Sequence, residues 1–481
     1  MLIQPKDRHQ LIMCTSLDEM LSKDNDVRYL DIIVDEILTI NPQAYAYKGR
    51  STTGRPAYSV STMFKLYMYG YLQRIPSCRA LERECNRNIE LIWLLGDLRP
   101  DFKTIADFRK DNPSMISEFT RSFKLYLKGK GILNGTSVSL DGTKLKANAS
   151  SDAILNKHKL LKQLSEIQFK ISEYISTIQE DVTNKELSDL ETQKHEILES
   201  LDKISTTGSN YYVQTDPDSR IMKSKSVFQP SYNGQIAVEN NNHFIIYEEI
   251  IQDQNDINHL AVMESGIKEE LSIEVDEILA DSGYCNLDEV EKLMQRGIAC
   301  YTPKQSQPIQ GGIELTYNKS EDCYYCQAGN RLVKRRSNKR YKNSYIDLYI
   351  GENCKNCSLN MNQECTKSKR GRNKVRYHNQ AWRDDYLKYM QNKTFKEKMQ
   401  ERKSRIEHVF GTIKIWMGTL QLKTRGIDGV RSEFKLWSTA YNMKKYIKIL
   451  KEMGKKELNI FEFIQYAIQS IIIKKIAYIN N

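Results

Sequence analysis

Ser137-Val-Ser-Leu-Asp141-Gly-Thr-Lys144 is the stretch whose reading decides the fold. Val138 and Leu140 alternate with Ser137 and Ser139, the period of a half-buried strand, and the run ends on Asp141 and Gly142. A second acidic residue, Asp281, closes Glu277-Ile-Leu-Ala-Asp-Ser-Gly-Tyr284, a short apolar run broken by Gly283, so it lies where a strand ends. A third, Glu407, falls within Arg402-Lys-Ser-Arg-Ile-Glu-His-Val-Phe-Gly-Thr-Ile-Lys414. That segment reads as helix, with Lys403, Glu407 and Lys414 near one face. Two carboxylates at strand positions and one on a basic helix could together hold a pair of divalent metals. Metals about 3.5–4 Å apart clamp the attacking and leaving oxygens of a phosphodiester. Each carboxylate also has a plainer reading. Asp141 before Gly142, and Asp281 before Ser282 and Gly283, could simply shape turns. Glu407 among Arg402, Lys403 and Arg405 could make a helix-surface ion pair.

Around these runs the pattern changes in blocks. Residues 1–125 read as a helical domain: Ser61 to Leu72 and Arg79 to Leu95 carry apolar residues at helical spacing, punctuated by Pro56, Pro76 and Pro100. With Gly54-Arg55-Pro56 and Arg74, Arg79, Arg83 and Arg87, such a domain suits either a DNA groove or ordinary packing with solvated charges. Residues 126–450 form the larger unit, with two inserts. In the first, 151–210, Leu160, Leu161, Leu164, Ile167, Ile171, Ile175 and Ile178 make an apolar stripe. Leu187, Leu190, Ile197 and Leu201 resume it, as in an antiparallel helical hairpin. From Ser231 the period is two: Gln235 to Val238 and Phe244 to Ile251 read as strands. A helix over 258–271, a strand over 277–280, a helix over 287–295 and a strand over 298–301 follow. The expectation is an α/β fold, a mixed sheet with flanking helices, that sets Asp141 and Asp281 on neighbouring central strands facing the Glu407 helix.

At 481 residues, with 40% apolar and 28% charged residues, the chain has the composition of a soluble globular protein with ample core. Its net charge of +11 favours a polyanionic partner. Between Arg331 and Phe410 there are 22 Lys and Arg against 8 Asp and Glu, about +14, so the remainder is slightly acidic. Met1 to Leu11 lacks an apolar targeting core. Ile464 to Ile479, in the helical tail 451–481, is interrupted by Lys474 and Lys475 and is too short to span a bilayer. No membrane association is expected.

Five of the ten cysteines fall between Cys323 and Cys365, inside the second, basic insert at 305–380. Without a secretory context, metal binding is the better expectation than a disulfide framework. Cys323-x-x-Cys326 and Cys354-x-x-Cys357 have the spacing of a four-cysteine structural zinc site, and Cys365 is a fifth candidate.

Several motifs together carry a resemblance: Asp141 to Ala149 (D-G-T-K-L-K-A-N-A), Thr215 to Lys223 (T-D-P-D-S-R-I-M-K), Tyr232 to Val238 (Y-N-G-Q-I-A-V) and Leu279 to Tyr284 (L-A-D-S-G-Y). Glu407 to Lys414, Thr424 to Glu433, Ala440 to Lys445 and Thr104 to Lys110 continue it. In this order, over roughly residues 50–450, the chain resembles bacterial insertion-sequence DDE transposases with an RNase-H-like catalytic core and a cysteine-rich insertion. The resemblance implies Asp141, Asp281 and Glu407 as a triad holding Mg²⁺ or Mn²⁺, and Lys414, Arg402 and Lys403 as basic positions on DNA. Met399 replaces a tyrosine that often begins the last motif, and Lys146 stands where an acidic residue is common. For zinc the resemblance favours Cys326, Cys354, Cys357 and Cys365, whereas spacing alone favours Cys323, Cys326, Cys354 and Cys357. It also implies cleavage and strand transfer at terminal inverted repeats, double-stranded DNA as partner, and a homo-oligomer on that DNA. The location would be cytoplasmic, nucleoid-associated when bound. A structure-specific nuclease on the same fold, or a zinc-containing DNA-binding regulator without catalysis, are the rival expectations.

Overall fold

The computed structural model describes residues 16–46, 56–177, 184–206, 208–224, 226–304, 313–341, 344–362, 364–366, 368 and 371–454. Met1 to Leu11, Gly54-Arg55 and the apolar tail stretch Ile464 to Ile479 lie outside them.

Six helices come first: α1 (Asp26–Ile40), α2 (Val60–Leu72), α3 (Cys78–Cys85), α4 (Ile89–Leu94), α5 (Phe102–Asp111) and α6 (Pro113–Gly129). Their starts follow local chemistry. Asn25, Ser59, Asn88 and Asp101 each accept a backbone N–H in the first turn of the helix they open, and Pro113 begins α6, where a missing N–H costs nothing.

The chain then enters β1 (Ser137–Lys146). A short ladder of β2 (Ile154–Asn156) and β3 (Tyr211–Val213) closes the base of the helical hairpin α7 (Lys157–Thr177) and α8 (Asn184–Thr206), as the stripe of leucines and isoleucines required. After β4 (Arg220–Ser224) come β5 (Val227–Glu239) and β6 (Ile245–Ile251), antiparallel to one another; β5 is antiparallel to β1. Helix α9 (Leu260–Leu271) crosses to β7 (Glu277–Leu279), and α10 (Leu287–Gln295) crosses to β8 (Ala299–Tyr301). Both strands are parallel to their neighbours, which a crossover helix permits and a hairpin does not. The order is β6-β5-β1-β7-β8, with β4 pairing the first half of β5 on the edge that β6 takes farther along. This is the RNase-H-like mixed sheet. One detail departs from the sequence reading: Ser139 is as fully buried as Val138 and Leu140, its hydroxyl donating to Asn240 Oδ1 at 2.6 Å. β1 is a central strand covered on both faces, so its alternation is polar-for-apolar within the core, not core-for-solvent.

A second, antiparallel sheet runs β13-β12-β11-β10-β9, from β9 (Leu315–Asn318), β10 (Cys323–Cys326), β11 (Arg331–Tyr341), β12 (Ser344–Gly351) and β13 (Asn373–Tyr377), with the single-turn α11 (Ser358–Met361) between the last two. Its own core is small: Tyr324, Leu332 and Tyr349, flanked by Leu315 and Tyr317. The chain returns through α12 (Gln380–Tyr389) and α13 (Lys393–Gly411), continues as one π-helical turn (Thr412–Trp416), and ends its described part in α14 (Ile427–Gly454). No helix among the described residues is long and apolar enough to cross a membrane.

One hydrophobic core extends from Leu21 to Ile447. Helix α14 makes it continuous, packing against α2, α5 and α6 on one side and β6 on the other, so residues 16–125 share a core with the sheet. Two buried ionic contacts pin this junction. Arg109 of α5 faces Glu433 of α14 at 3.8 Å, both buried, and Glu433 also accepts from Lys423 N, Thr424 N and Thr424 Oγ1. Lys124 of α6, also buried, bridges Glu248 of β6 and Glu270 of α9. Removing one member of such a pair strands a charge, which costs about 3–5 kcal/mol. Glu433→Ala should therefore lower the unfolding free energy measured by urea titration by that amount, whereas Asp385→Ala, from the exposed Lys388–Asp385 pair, should change it by about 0.5 kcal/mol or less.

Candidate active site and cysteine cluster

The register of β1 and β7 sets the site. Ser139 pairs with Leu279, so two residues farther along each chain stand Asp141 and Asp281, at one level, where the two strands have ceased to pair. In open α/β sheets the crevice beyond the carboxyl ends of parallel strands is where ligands collect. Asp281 caps the turn that leaves β7: its Oδ1 accepts from Gly283 N at 2.8 Å, and its carbonyl accepts from Thr302 Oγ1 at 2.8 Å. Asp141 stays in strand geometry, opposite Ile236 of β5. The turn-forming reading thus fits part of what Asp281 does and nothing that Asp141 does.

Helix α13 lies against this crevice. Arg402 is buried, donating Nε and Nη2 to Leu140 O (3.2 and 2.9 Å) and Nη2 to Asp141 Oδ1 (3.1 Å). Some three turns farther on, Lys414 reaches the same strand, donating to Thr143 Oγ1 and to Lys144 O. Arg402 was expected on DNA and is instead packed under Asp141, because its helical position falls on the same inward face as Ile406 and Val409. Lys403 is exposed. Glu407 is exposed too, and no hydrogen bond or ion pair joins it to a described residue: Arg405 pairs with Glu401 and Arg402 with Asp141. The helix-surface ion pair is therefore not what occupies Glu407. It sits on the Lys403–Lys414 face, between the two points where α13 and its π turn are tied to β1. The structure brings Asp141 and Asp281 together, whereas Glu407 stands on the exposed face of α13, with no hydrogen bond or ion pair to either.

Burial pushes the Asp141 carboxyl up to about 6, Arg402 opposes this, and the negative charges of Asp281 and Asp256 add to it. A raised carboxyl favours the folded state only while protonated. That contribution is complete below the ordinary carboxylate range and is lost as pH rises through about 6. Ionised Asp141 thus costs the metal-free protein on the order of 2–3 kcal/mol at neutral pH. Asp141→Asn should raise the melting temperature of metal-free protein at neutral pH, and the gain should vanish near pH 4. A variant less stable than the parent at neutral pH would contradict this.

Sequence reasoning missed the residues beneath the aspartates. Asn233 and Gln235 of β5 are fully buried; Gln235 accepts from the hydroxyl of Tyr284, in the turn after Asp281. Asp256, in the loop between β6 and α9, accepts from both amides. The available signal was polar side chains inside the strand Tyr232 to Val238, where apolar ones would be expected.

In the second sheet Cys326, Cys354, Cys357 and Cys365 line one small cavity of about 10 Å³, with Leu332, Leu359 and Arg372. That volume suits a single water-sized centre. Cys323 lies elsewhere, buried with its thiol toward Glu321. As β10 is a strand, Cys323 and Cys326, three apart, point to opposite faces. The two-knuckle spacing thus groups two thiols that the strand turns apart, and the four that share the cavity are the set the resemblance favours. Two glycines clear the space: a Cβ at Gly351 would overlap Cys354 Sγ, and one at Gly371 would overlap Cys354 Cβ. Arg372 donates to Cys365 O (3.1 Å) and Cys365 Sγ (3.7 Å). Burial first, then the neighbouring thiols of Cys326, Cys365 and Cys357, push the Cys354 thiol up. Among the described residues no group of three or more Cys, His, Asp or Glu side chains is placed to hold a metal ion.

Two family models match parts of the chain. Residues 15–111 match the family model described as Transposase domain (DUF772), and residues 323–447 match the Transposase DDE domain. The second match includes the cysteine cluster, Glu407 and Lys414; Asp141 and Asp281 lie outside both. No curated protein matches the chain. Among solved structures it is similar to a piggyBac transposase synaptic complex with hairpin DNA, at 9% identity and a TM-score of 0.29, over 90% of this chain and 75% of that one. The two domain matches, over residues 15–111 and 323–447, support a DDE-type transposase.

Proposed function

We propose that this transposase cleaves DNA at the terminal inverted repeats of its own insertion sequence and transfers the strands to a target. Asp141, Asp281 and Glu407 are the metal-binding triad of this reading. The observation that carries it is the shared level of Asp141 and Asp281 just beyond the parallel pairing of β1 with β7, with the helix bearing Glu407 packed against β1. The residues suit a hard cation: half-buried carboxylates close together, one of them raised above its ordinary pKa by burial, with Asp281 and Asp256 adding to the rise. Mg²⁺ or Mn²⁺ would supply Lewis acidity and an activated water or 3′-hydroxyl. The chain itself would orient Asp141 through Arg402, fix Asp281 through Gly283 N and Thr302, and bring Glu407 in from an exposed helix face that carries no competing ion pair.

DNA would be held by the basic sheet. On β11 the exposed Arg336, Lys339 and Arg340 have no carboxylate partner among the described residues, while Lys334 is paired with Asp322 and Asp347. These cations lie on the part of β11 that extends past β10, where they could meet backbone phosphates. Lys403 is free for phosphate, and Lys414 would reach DNA near the cut only by leaving Thr143. Joining two element ends goes with a homo-oligomer on the DNA. With labelled element ends and Mn²⁺, Asp141→Asn, Asp281→Asn and Glu407→Gln should each reduce cleavage at least about 10³-fold while leaving end-binding within a few-fold. Near-normal cleavage by any one removes that residue from the site, and cleavage without joining would favour a nuclease.

For the cysteine cluster we propose one structural zinc on Cys326, Cys354, Cys357 and Cys365, the Arg372 guanidinium steadying the Cys365 thiolate. The sheet's three-residue core is too small to hold it alone, so the metal supplies folding energy. Elemental analysis should find about one zinc per chain. Cys365→Ser should lose it and open the sheet to protease, and Cys323→Ser should keep it. The reverse pattern would restore the spacing-based set.

A further inference from the structure

We propose that Asp256 is a further carboxylate of the cation pocket between Asp141 and Asp281, an inference that rests on the metal-dependent reading above. Its loop follows β6, and its two oxygens do different things. Oδ1 accepts from Asn233 Nδ2 (2.6 Å) and Gln235 Nε2 (2.7 Å) and faces Lys144 Nζ at 3.4 Å. Oδ2 makes no hydrogen bond with a described residue. It looks toward the Asp281 turn: a Cβ built on Gly283 would stand 3.0 Å from Asp281 Oδ1 and 3.5 Å from Asp256 Oδ2, so that position separates the two carboxylates. On the other side, a Cβ at Gly142 would come within 2.8 Å of Asp256 Oδ1, so only glycine next to Asp141 lets Asp256 approach. Asp256 is thus wedged between the two strand ends that carry the aspartates, and its charge is felt at both Asp141 and Tyr284.

A residue needed only to receive the Asn233 and Gln235 amides requires one acceptor oxygen, which asparagine also provides. A carboxylate there adds like-charge repulsion against Asp141 and Asp281, which the one ammonium beside it, Lys144 Nζ at 3.4 Å, offsets only in part until a cation arrives. Asp256 therefore trades stability of the empty site for cation affinity, as a ligand or an outer-sphere acceptor does and a purely architectural residue does not.

The distinction is measurable on the full-length protein by calorimetric titration with Mn²⁺ alone, paired with thermal melts of the metal-free state. Asp256→Asn keeps the Oδ1 acceptor and should melt at the same or a higher temperature than the parent, while its Mn²⁺ affinity falls about tenfold or more. Asp256→Ser, which keeps an acceptor without charge, should lose the same affinity. A lower metal-free melting temperature with unchanged Mn²⁺ affinity in both variants would make Asp256 architectural and overturn the proposal. Asp281→Asn is the control. If it binds Mn²⁺ as the parent does, the metal reading of the site fails, and the Asp256 proposal with it. If it loses Mn²⁺ and the Asp256 variants do not, only the proposal fails.

Discussion

Like-charge repulsion in one crevice is the constraint around which the molecule is arranged. Parallel pairing of β1 with β7 stops at Ser139 and Leu279, and the next acidic residue on each chain is forced to the same level. Asp256 enters between them. The fold holds these charges close by surrounding them with rigid partners: buried amides on β5, the Arg402 guanidinium from α13, and backbone N–H and hydroxyl donors on the Asp281 turn. None of these is strong enough to return Asp141 to its ordinary titration. A site left short of positive charge is one prepared for a cation.

The rest of the chain serves that crevice at increasing distance. Helix α14 threads between the N-terminal helices and the sheet, so force on either is felt by the other through the buried Arg109–Glu433 and Lys124–Glu248 contacts. Helix α13 depends on the second sheet for its approach, since β13 leads through α12 into it, and Arg383 of α12 pairs with Asp288 at the start of α10, just past the Asp281 turn. A metal that orders the second sheet would thereby steady the helix carrying Glu407.

Much of this was legible in the sequence, for identifiable reasons. β6, β7, β8 and the crossover helices appear within a residue or two of where period-two and helical spacing put them, because each buries a face that its pattern names, whereas β5 begins at Val227, well before the expected Gln235, and β4 was not expected. The hairpin α7–α8 followed from its stripe in the same way. What stayed hidden is long-range. Nothing local to Asp256 announces that Gly142 and Gly283 leave room for it. Nothing in C-x-x-C spacing reveals that β10 is extended and turns Cys323 away from Cys326. Arg402 and Glu407 look alike on a basic helix until the packing of Ile406 and Val409 decides which one faces inward. Residues 16–125 read as a separate helical domain, since a shared core built by a helix more than 300 residues later leaves no local trace.

Anomalous diffraction from crystals of the full chain grown with Mn²⁺ tests the central claim most directly, since it locates the cation without reference to activity. The account predicts a manganese peak in the crevice between Asp141 and Asp281, within coordination distance (about 2.0–2.2 Å) of an oxygen from each. An empty crevice at saturating Mn²⁺, or manganese bound only elsewhere, would contradict it.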